Sequence, residues 1–148
     1  MRILLWCVLI FQIFSCNLFK KKLSIETQNK ELIISLQKTP CFGTCPVYNI
    51  SIFSDGTGIY KGIQFVEKMG EYEFSIDSSV SNKVLKEAIK IDFIDIKEHD
   101  YFDPRIQDLP TTTITIDGHR VKYNRNTNKE LIYLTEYIHD NVKRKIQK

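Results

Sequence analysis

Thr111-Thr112-Thr113-Ile114-Thr115-Ile116-Asp117-Gly118-His119-Arg120-Val121-Lys122-Tyr123 reads almost pair by pair. Asp-Gly favours a two-residue hairpin turn, because the primed turns that match strand twist need residues that tolerate positive φ. With Asp117-Gly118 as that turn, Ile116 faces His119, Ile114 faces Val121 and Thr112 faces Tyr123. The opposite parity carries Thr113, Thr115, Arg120 and Lys122, so one side of this hairpin is covered and the other is wet. The cover follows in the chain. Leu131, Leu134, Ile138 and Val142 recur at helical spacing, Thr127 and Glu130 form a capping box, and Lys143, Arg144 and Lys145 suit the negative end of a helix dipole.

The same alternation extends upstream. Leu32, Ile34 and Leu36 share one side of a strand over 31–37, and from Pro46 onward Tyr48, Ile50 and Ile52 alternate with Asn49 and Ser51. Asp55-Gly56 predicts a hairpin into a third strand over 59–63. Gly70 marks a further turn into a fourth strand, where Tyr72, Phe74 and Ile76 alternate with Glu71, Glu73 and Ser75. Asp77-Ser78-Ser79 then offers oxygen acceptors for a helix start, and Val80, Val84, Leu85 and Ala88 form its apolar stripe. Phe93, Ile94 and Ile96 are expected to continue this packing in an extended connection, with 99–109 an acidic, proline-containing loop. The order β-β-β-β-α-β-β-α predicts an α+β domain: a mostly antiparallel sheet of about six strands with two helices packed on one face. The pairing between the two groups of strands is left open.

Met1-Arg2 followed by the apolar run 3–14 reads as an export signal, since a membrane span needs about 20 apolar residues and Gln12 interrupts the run. Ile13-Phe14-Ser15-Cys16 resembles a lipobox, with bulky Phe14 as its departure from the common Leu-Ala-Gly-Cys form. An uncleaved anchor or an ordinary signal peptide are the alternatives. The expected organisation is a lipoprotein-type signal peptide over 1–15, a tether over 16–30 lipidated at Cys16, for instance with palmitate, and one domain over 31–148. The address that follows is the bacterial cell envelope, facing the periplasm and held to the membrane by lipid. Asn17, which is not an acidic retention residue, leans toward the outer membrane. Removing Arg2 takes the net charge from +3 to +2, a balance that demands no nucleic-acid partner. Arg120, Lys122 and Arg125 beside Tyr123 accordingly read as a solvated strand face. Lys20-Lys21-Lys22 reads as part of a solvated tether.

With Cys7 discarded and Cys16 lipidated, Cys41 and Cys45 remain as a pair, and an exported pair is expected to be oxidised. A bend at Gly43 brings their α-carbons within disulfide reach. The alternative is thiol-redox or copper handling. Cys41-x-x-x-Cys45-Pro46 resembles the copper motif of Sco-type chaperones, which implies a third ligand from a distant histidine, here His99, His119 or His139. That family's motif opens a helix, whereas Pro46 leads into a strand, so no helix dipole is on offer to lower a thiol pKa. His119 reads as a turn-flanking polar residue and His139 as a helix-surface one. His99, Asp100, Tyr101, Asp103 and Asp108 form an acidic cluster without the ordered spacing of a calcium loop, and Asp103-Pro104 is ordinary turn chemistry. No phosphate-binding Gly-rich loop, no Gly-x-Ser-x-Gly and no His-Glu-x-x-His is present. No catalytic residue, metal or cofactor is therefore assigned, and an enzyme whose residues are scattered through loops stays as a third alternative.

Thr39-Pro40-Cys41-Phe42-Gly43-Thr44-Cys45-Pro46-Val47-Tyr48, then Asp55-Gly56, Tyr60, Gly62, Tyr101 and Asp108-Leu109-Pro110-Thr111, resemble a bacterial family known only as a domain of unknown function, often found in predicted lipoproteins. The likeness spans about residues 30 to 145. It implies a fold and an address and supplies no activity. Its motif residues serve either structure or a ligand surface, and Phe42, Gly43, Tyr48, Tyr101 and Asp108 are the candidates for such a surface. The expected function is a non-catalytic binding or accessory module, with a protein of the envelope as a possible partner.

Overall fold

Ile34 and Leu36 have almost no exposed surface, and each is flanked on both sides by an apolar partner in register. A computed structural model describes residues 30–125 and 127–147 of the chain, so Cys16, the export segment and most of the tether lie outside the described residues. The strands are β1 (Leu32–Lys38), β2 (Val47–Phe53), β3 (Thr57–Gln64), β4 (Gly70–Ser75), β5 (Thr112–Ile116) and β6 (His119–Tyr123). They form one antiparallel sheet in the order β4-β3-β2-β1-β5-β6. β1 lies inside the sheet and joins the meander to the β5–β6 hairpin, the pairing the sequence left open. The hairpin register matches expectation at each of its three inward pairs, Ile116 with His119, Ile114 with Val121 and Thr112 with Tyr123.

Directly opposed residues point to one face, so the register arranges the covered face in rungs. One rung runs Phe74, Gly58, Ile52, Ile34, Ile116, His119. The next runs Tyr72, Tyr60, Ile50, Leu36, Ile114, Val121. The third runs Gly70, Gly62, Tyr48, Lys38, Thr112, Tyr123, and there the aliphatic centre gives way to Lys38 and Thr112.

The helices are α1 (Ser78–Lys90), the single turn α2 (Glu98–Tyr101) and α3 (Lys129–Ile146). Val84 and Ala88 of α1 and Leu131, Leu134, Ile138 and Val142 of α3 join the buried strand residues in one core cluster. Full burial of an aliphatic side chain contributes on the order of 1.5–3 kcal/mol, which makes this shared apolar contact the main source of stability. Asp77 caps α1, its carboxylate accepting from the Ser79 amide at 2.8 Å.

Three helices stand where two were expected. Phe93, 2% exposed, anchors a 3-10 turn at Phe93–Asp95 instead of an extended connection. The Asp100 carboxylate then accepts from the Lys97 amide at 2.8 Å, which closes α2 inside the segment expected to be loop. The cap of α3 also differs. Asn128 is the N-cap, its Oδ1 accepting from the Leu131 amide at 2.7 Å, while the Thr127 hydroxyl donates to the Arg125 carbonyl.

The two sheet edges differ. At β6, the Asn124 amide donates to the Tyr101 carbonyl and His119 Nε2 lies 3.2 Å from the Ile96 carbonyl, so the 96–103 segment runs along this edge. β4 is the other edge and carries exposed Glu71 and Glu73 on the open face. Among the described residues no helix is long and apolar enough to cross a membrane.

The α3 cap gives a direct test. Asn128→Ala removes an acceptor for an otherwise unpaired helix amide and is expected to lower the unfolding free energy by about 1 kcal/mol in urea denaturation. Thr127→Ala, outside the cap, is expected to cost less.

Candidate functional site

Lys38 continues the parity of Ile34 and Leu36, which obliges its side chain to leave the sheet on the covered face. It is half-buried between Tyr48 and Thr112 in register. Among the described residues it has no carboxylate within ion-pair distance and no side-chain hydrogen bond. A cleft of about 1010 Å³ opens over the third rung, between the sheet and α3. Its walls are one face of α3 from Ile132 to Ile146, the β3–β4 loop and the segments around Leu109–Pro110 and Asn124–Arg125.

The floor is aromatic. The Tyr48 ring stacks on Tyr60 with centroids 6.0 Å apart and meets the His139 ring at 4.9 Å. Tyr48 is 6% exposed and Tyr60 4%, yet both line the cleft and neither hydroxyl has a hydrogen-bond partner among the described residues. The Tyr123 hydroxyl, by contrast, is 2.9 Å from Thr135 Oγ1 on α3. Gly62, opposite Tyr48, is fixed by space: a Cβ there would run into the Lys68 carbonyl oxygen and Val66, so the β3–β4 loop can fold down against the sheet.

Burial pushes the Tyr48 phenol well up, with the neighbouring Tyr123, Tyr60 and Asp140 adding to it, and burial raises Tyr60 as well. Burial also lowers His139, against the opposing pull of Asp140 at 3.4 Å. At the rim Lys143 pairs with Glu67 at 2.7 Å, and that bond holds the exposed Glu67 carboxyl below its usual range.

Cys41 and Cys45 form a disulfide, with their α-carbons 5.8 Å apart. The loop they close is tied to the strand-entry segment before β5. The Thr39 amide donates to the Thr111 carbonyl at 3.0 Å, the Thr111 amide to Thr39 Oγ1 at 2.9 Å, and the Phe42 amide to the Asp108 carbonyl at 3.3 Å. Phe42 is left 85% exposed at the tip beside Gly43.

Of the residues singled out in the sequence, the structure joins Phe42 to Asp108 through the backbone and sets Tyr48 in the cleft floor. Tyr101 stands elsewhere, half-buried beside β6, its hydroxyl accepting from Asn128 Nδ2 at 3.3 Å. Lys38, Tyr60, Tyr123 and His139 line the cleft without having been singled out for it. The available signal was parity, since a lysine falls where the alternation demands a core residue. His139 is half-buried against Tyr48 and not a helix-surface residue. His119 bonds the Ile96 carbonyl and meets Phe93 edge-on at 5.5 Å. His99 is exposed beside Asp100. Among the described residues no group of three or more His, Cys, Asp or Glu is placed to hold a metal ion.

The acidic loop is organised by an amide. Buried Asn124 accepts from the Asp103 amide at 3.0 Å and donates to the Asp103 and Ile106 carbonyls. Asp103 also pairs with Arg105 at 2.7 Å, and those hydrogen bonds hold its carboxyl far below the usual range.

Two measurements follow. Replacing Cys41 and Cys45 together by serine is expected to lower the unfolding free energy by about 2 kcal/mol, the chain-entropy value for so short a loop, seen as a lower urea midpoint. Unchanged stability would mean that the Thr39–Thr111 bonds suffice. For His139, the folded chain holds the proton less well than the unfolded chain, whose value is near 6.5. Its contribution is therefore complete above that pH and is lost as pH falls through 6.5 and below. His139→Asn is expected to flatten the fall in stability between pH 7.5 and 5.5.

No curated protein matches the chain. A family model, Domain of unknown function (DUF6438), matches residues 32–142, from the first residue of β1 to the last buried residue of α3, and the chain belongs to that family.

Proposed function

We propose that this chain is a lipid-anchored protein of the bacterial cell envelope whose domain faces the periplasm and binds a ligand in the cleft under α3, without performing chemistry on it. Residues 1–15 direct export, Cys16 carries the lipid, 16–30 form the tether, and the Cys41–Cys45 disulfide is a structural staple. The observation that carries the binding reading is the half-buried, unpaired Lys38 beneath a cleft floored by Tyr48 and Tyr60. A cation that faces an aromatic-floored cleft with no carboxylate of its own is available to an anionic ligand.

Two features support binding over catalysis. Burial drives the Tyr48 phenol away from neutral pH, so it is not tuned for proton transfer at pH 7. The cysteines bond to each other beside the cleft mouth and leave no thiolate as a nucleophile.

The poles of the domain suit an anchored receptor. The chain enters at Lys30 and Glu31, where Lys30 pairs with Asp55 at 2.9 Å and the Glu31 carbonyl accepts from Ser54 at 2.8 Å, beside the β2–β3 turn. The cleft lies at the other end of the same strands, and the seven residues of β2 separate the two by about 20 Å. A tether leaving one pole thus leaves the cleft and the apolar rim of Phe42, Phe65 and Leu109 facing away from the attachment point, open to a partner in the envelope.

The anchor is tested by palmitate labelling with cell fractionation. The native chain is expected to be labelled and membrane-bound, and Cys16→Ala unlabelled and released. A native chain without label, or a variant that still sediments with membranes, would refute the anchoring.

A further inference from the structure

The cleft leaves several donors without acceptors. The hydroxyls of Tyr48 and Tyr60, on side chains more than nine-tenths buried, reach it without a hydrogen-bond partner among the described residues. Both hydroxyls open onto the cleft, so a ligand that enters it meets two hydrogen-bonding groups that the chain itself does not pair. Lys38 stands directly across from Tyr48 in register, which puts its Cβ about 5 Å away and its ammonium within reach of the same space. The stacked rings fix Tyr48 and Tyr60 side by side. Lys38, Tyr48 and Tyr60 therefore face one cleft, two hydroxyls beside one cation.

The charge of the walls limits what fits. The lining holds four cations, Lys38, Lys68, Arg125 and Lys143, against three carboxylates, Glu67, Glu136 and Asp140. Lys143 is already committed to Glu67. With His139 neutral, the balance is one positive charge, which suits a ligand carrying a single negative charge, and Glu67, Glu136 and Asp140 repel one carrying two or more. The remaining lining, including Pro46, Leu109, Pro110 and Ile132, is apolar and suits a hydrocarbon body.

We infer that the cleft binds a monocarboxylate on an apolar body, its carboxylate received by the Lys38 ammonium and the Tyr48 and Tyr60 hydroxyls and its body laid against the apolar wall. The inference rests on the cleft being a binding site and names the chemistry of what enters. A free organic acid and the carboxyl end of a peptide share that chemistry.

The test is isothermal titration of the full lipidated chain in detergent micelles. The probes are N-acetyl-Ala-Leu-Phe with a free carboxylate, its C-terminal amide, 4-phenylbutyrate and phenyl phosphate. Lys38→Met and Tyr48→Phe are titrated in the same micelles, so that partition into detergent cancels between variants. The free-acid peptide or phenylbutyrate is expected to bind about tenfold or more tightly than the amide, as loss of a charge-assisted hydrogen bond requires. Lys38→Met is expected to erase most of that difference, and Tyr48→Phe, which keeps the ring stack, to reduce it several-fold. The peptide binding above phenylbutyrate identifies a chain end as the source, and the reverse order identifies a free acid. Phenyl phosphate binding more tightly than both acids overturns the monocarboxylate. Acid and amide binding equally in every variant also overturns it and leaves the cleft as a binding site, whereas no binding by any probe overturns both.

Discussion

The domain depends on the register of β1. Because β1 is bonded on both sides, its parity is fixed twice, by Ile52 and Ile50 of β2 and again by Ile116 and Ile114 of β5. A slip by one residue on either side would turn Ile34 and Leu36 to the open face and Ser35 and Gln37 into the core, a change too unfavourable to be populated. The same double constraint carries Lys38 onto the covered face, where no choice of rotamer returns its Cβ to the solvent side. The apolar core and the charged cleft are thus consecutive rungs of one ladder, and the second follows from the first.

The strands were legible because alternation and Asp-Gly turns are local signals. Asp117-Gly118 sets its own register, so the hairpin could be read to the pair. What the sequence did not disclose depends on contacts distant in the chain. Asn128 outcompetes Thr127 as the α3 cap through the position at which the helix leaves β6, which neighbouring residues do not decide. The α2 turn owes its place partly to Asn124, twenty-one residues beyond Asp103, and to the β6 edge it runs along. His139 reads as a surface residue on helical spacing alone. Only the docking of α3 over β2 shows that it lies on the Tyr48 ring.

The candidate site shows the same division. The cysteine motif was visible because its residues are adjacent, and the structure gives it a supporting role: the disulfide loop is bonded to the segment leading into β5, which helps fix the cleft margin at Leu109 and Pro110. The cleft is lined from β1, β2, β3 and α3, by single residues that carry no motif. Tyr48 belongs to both descriptions, closing the conspicuous motif and opening the inconspicuous cleft.

The β4 edge has a consequence for how copies of the domain meet. An open sheet invites another strand to add to it, and the 96–103 segment already occupies the β6 side. At β4, a second copy approaching in antiparallel register would set Glu71 and Glu73 against the same two carboxylates of its neighbour, and like charges directly opposite oppose pairing. Crowding of many such domains therefore meets a built-in electrostatic bar to runaway strand addition, one that weakens as salt screens it.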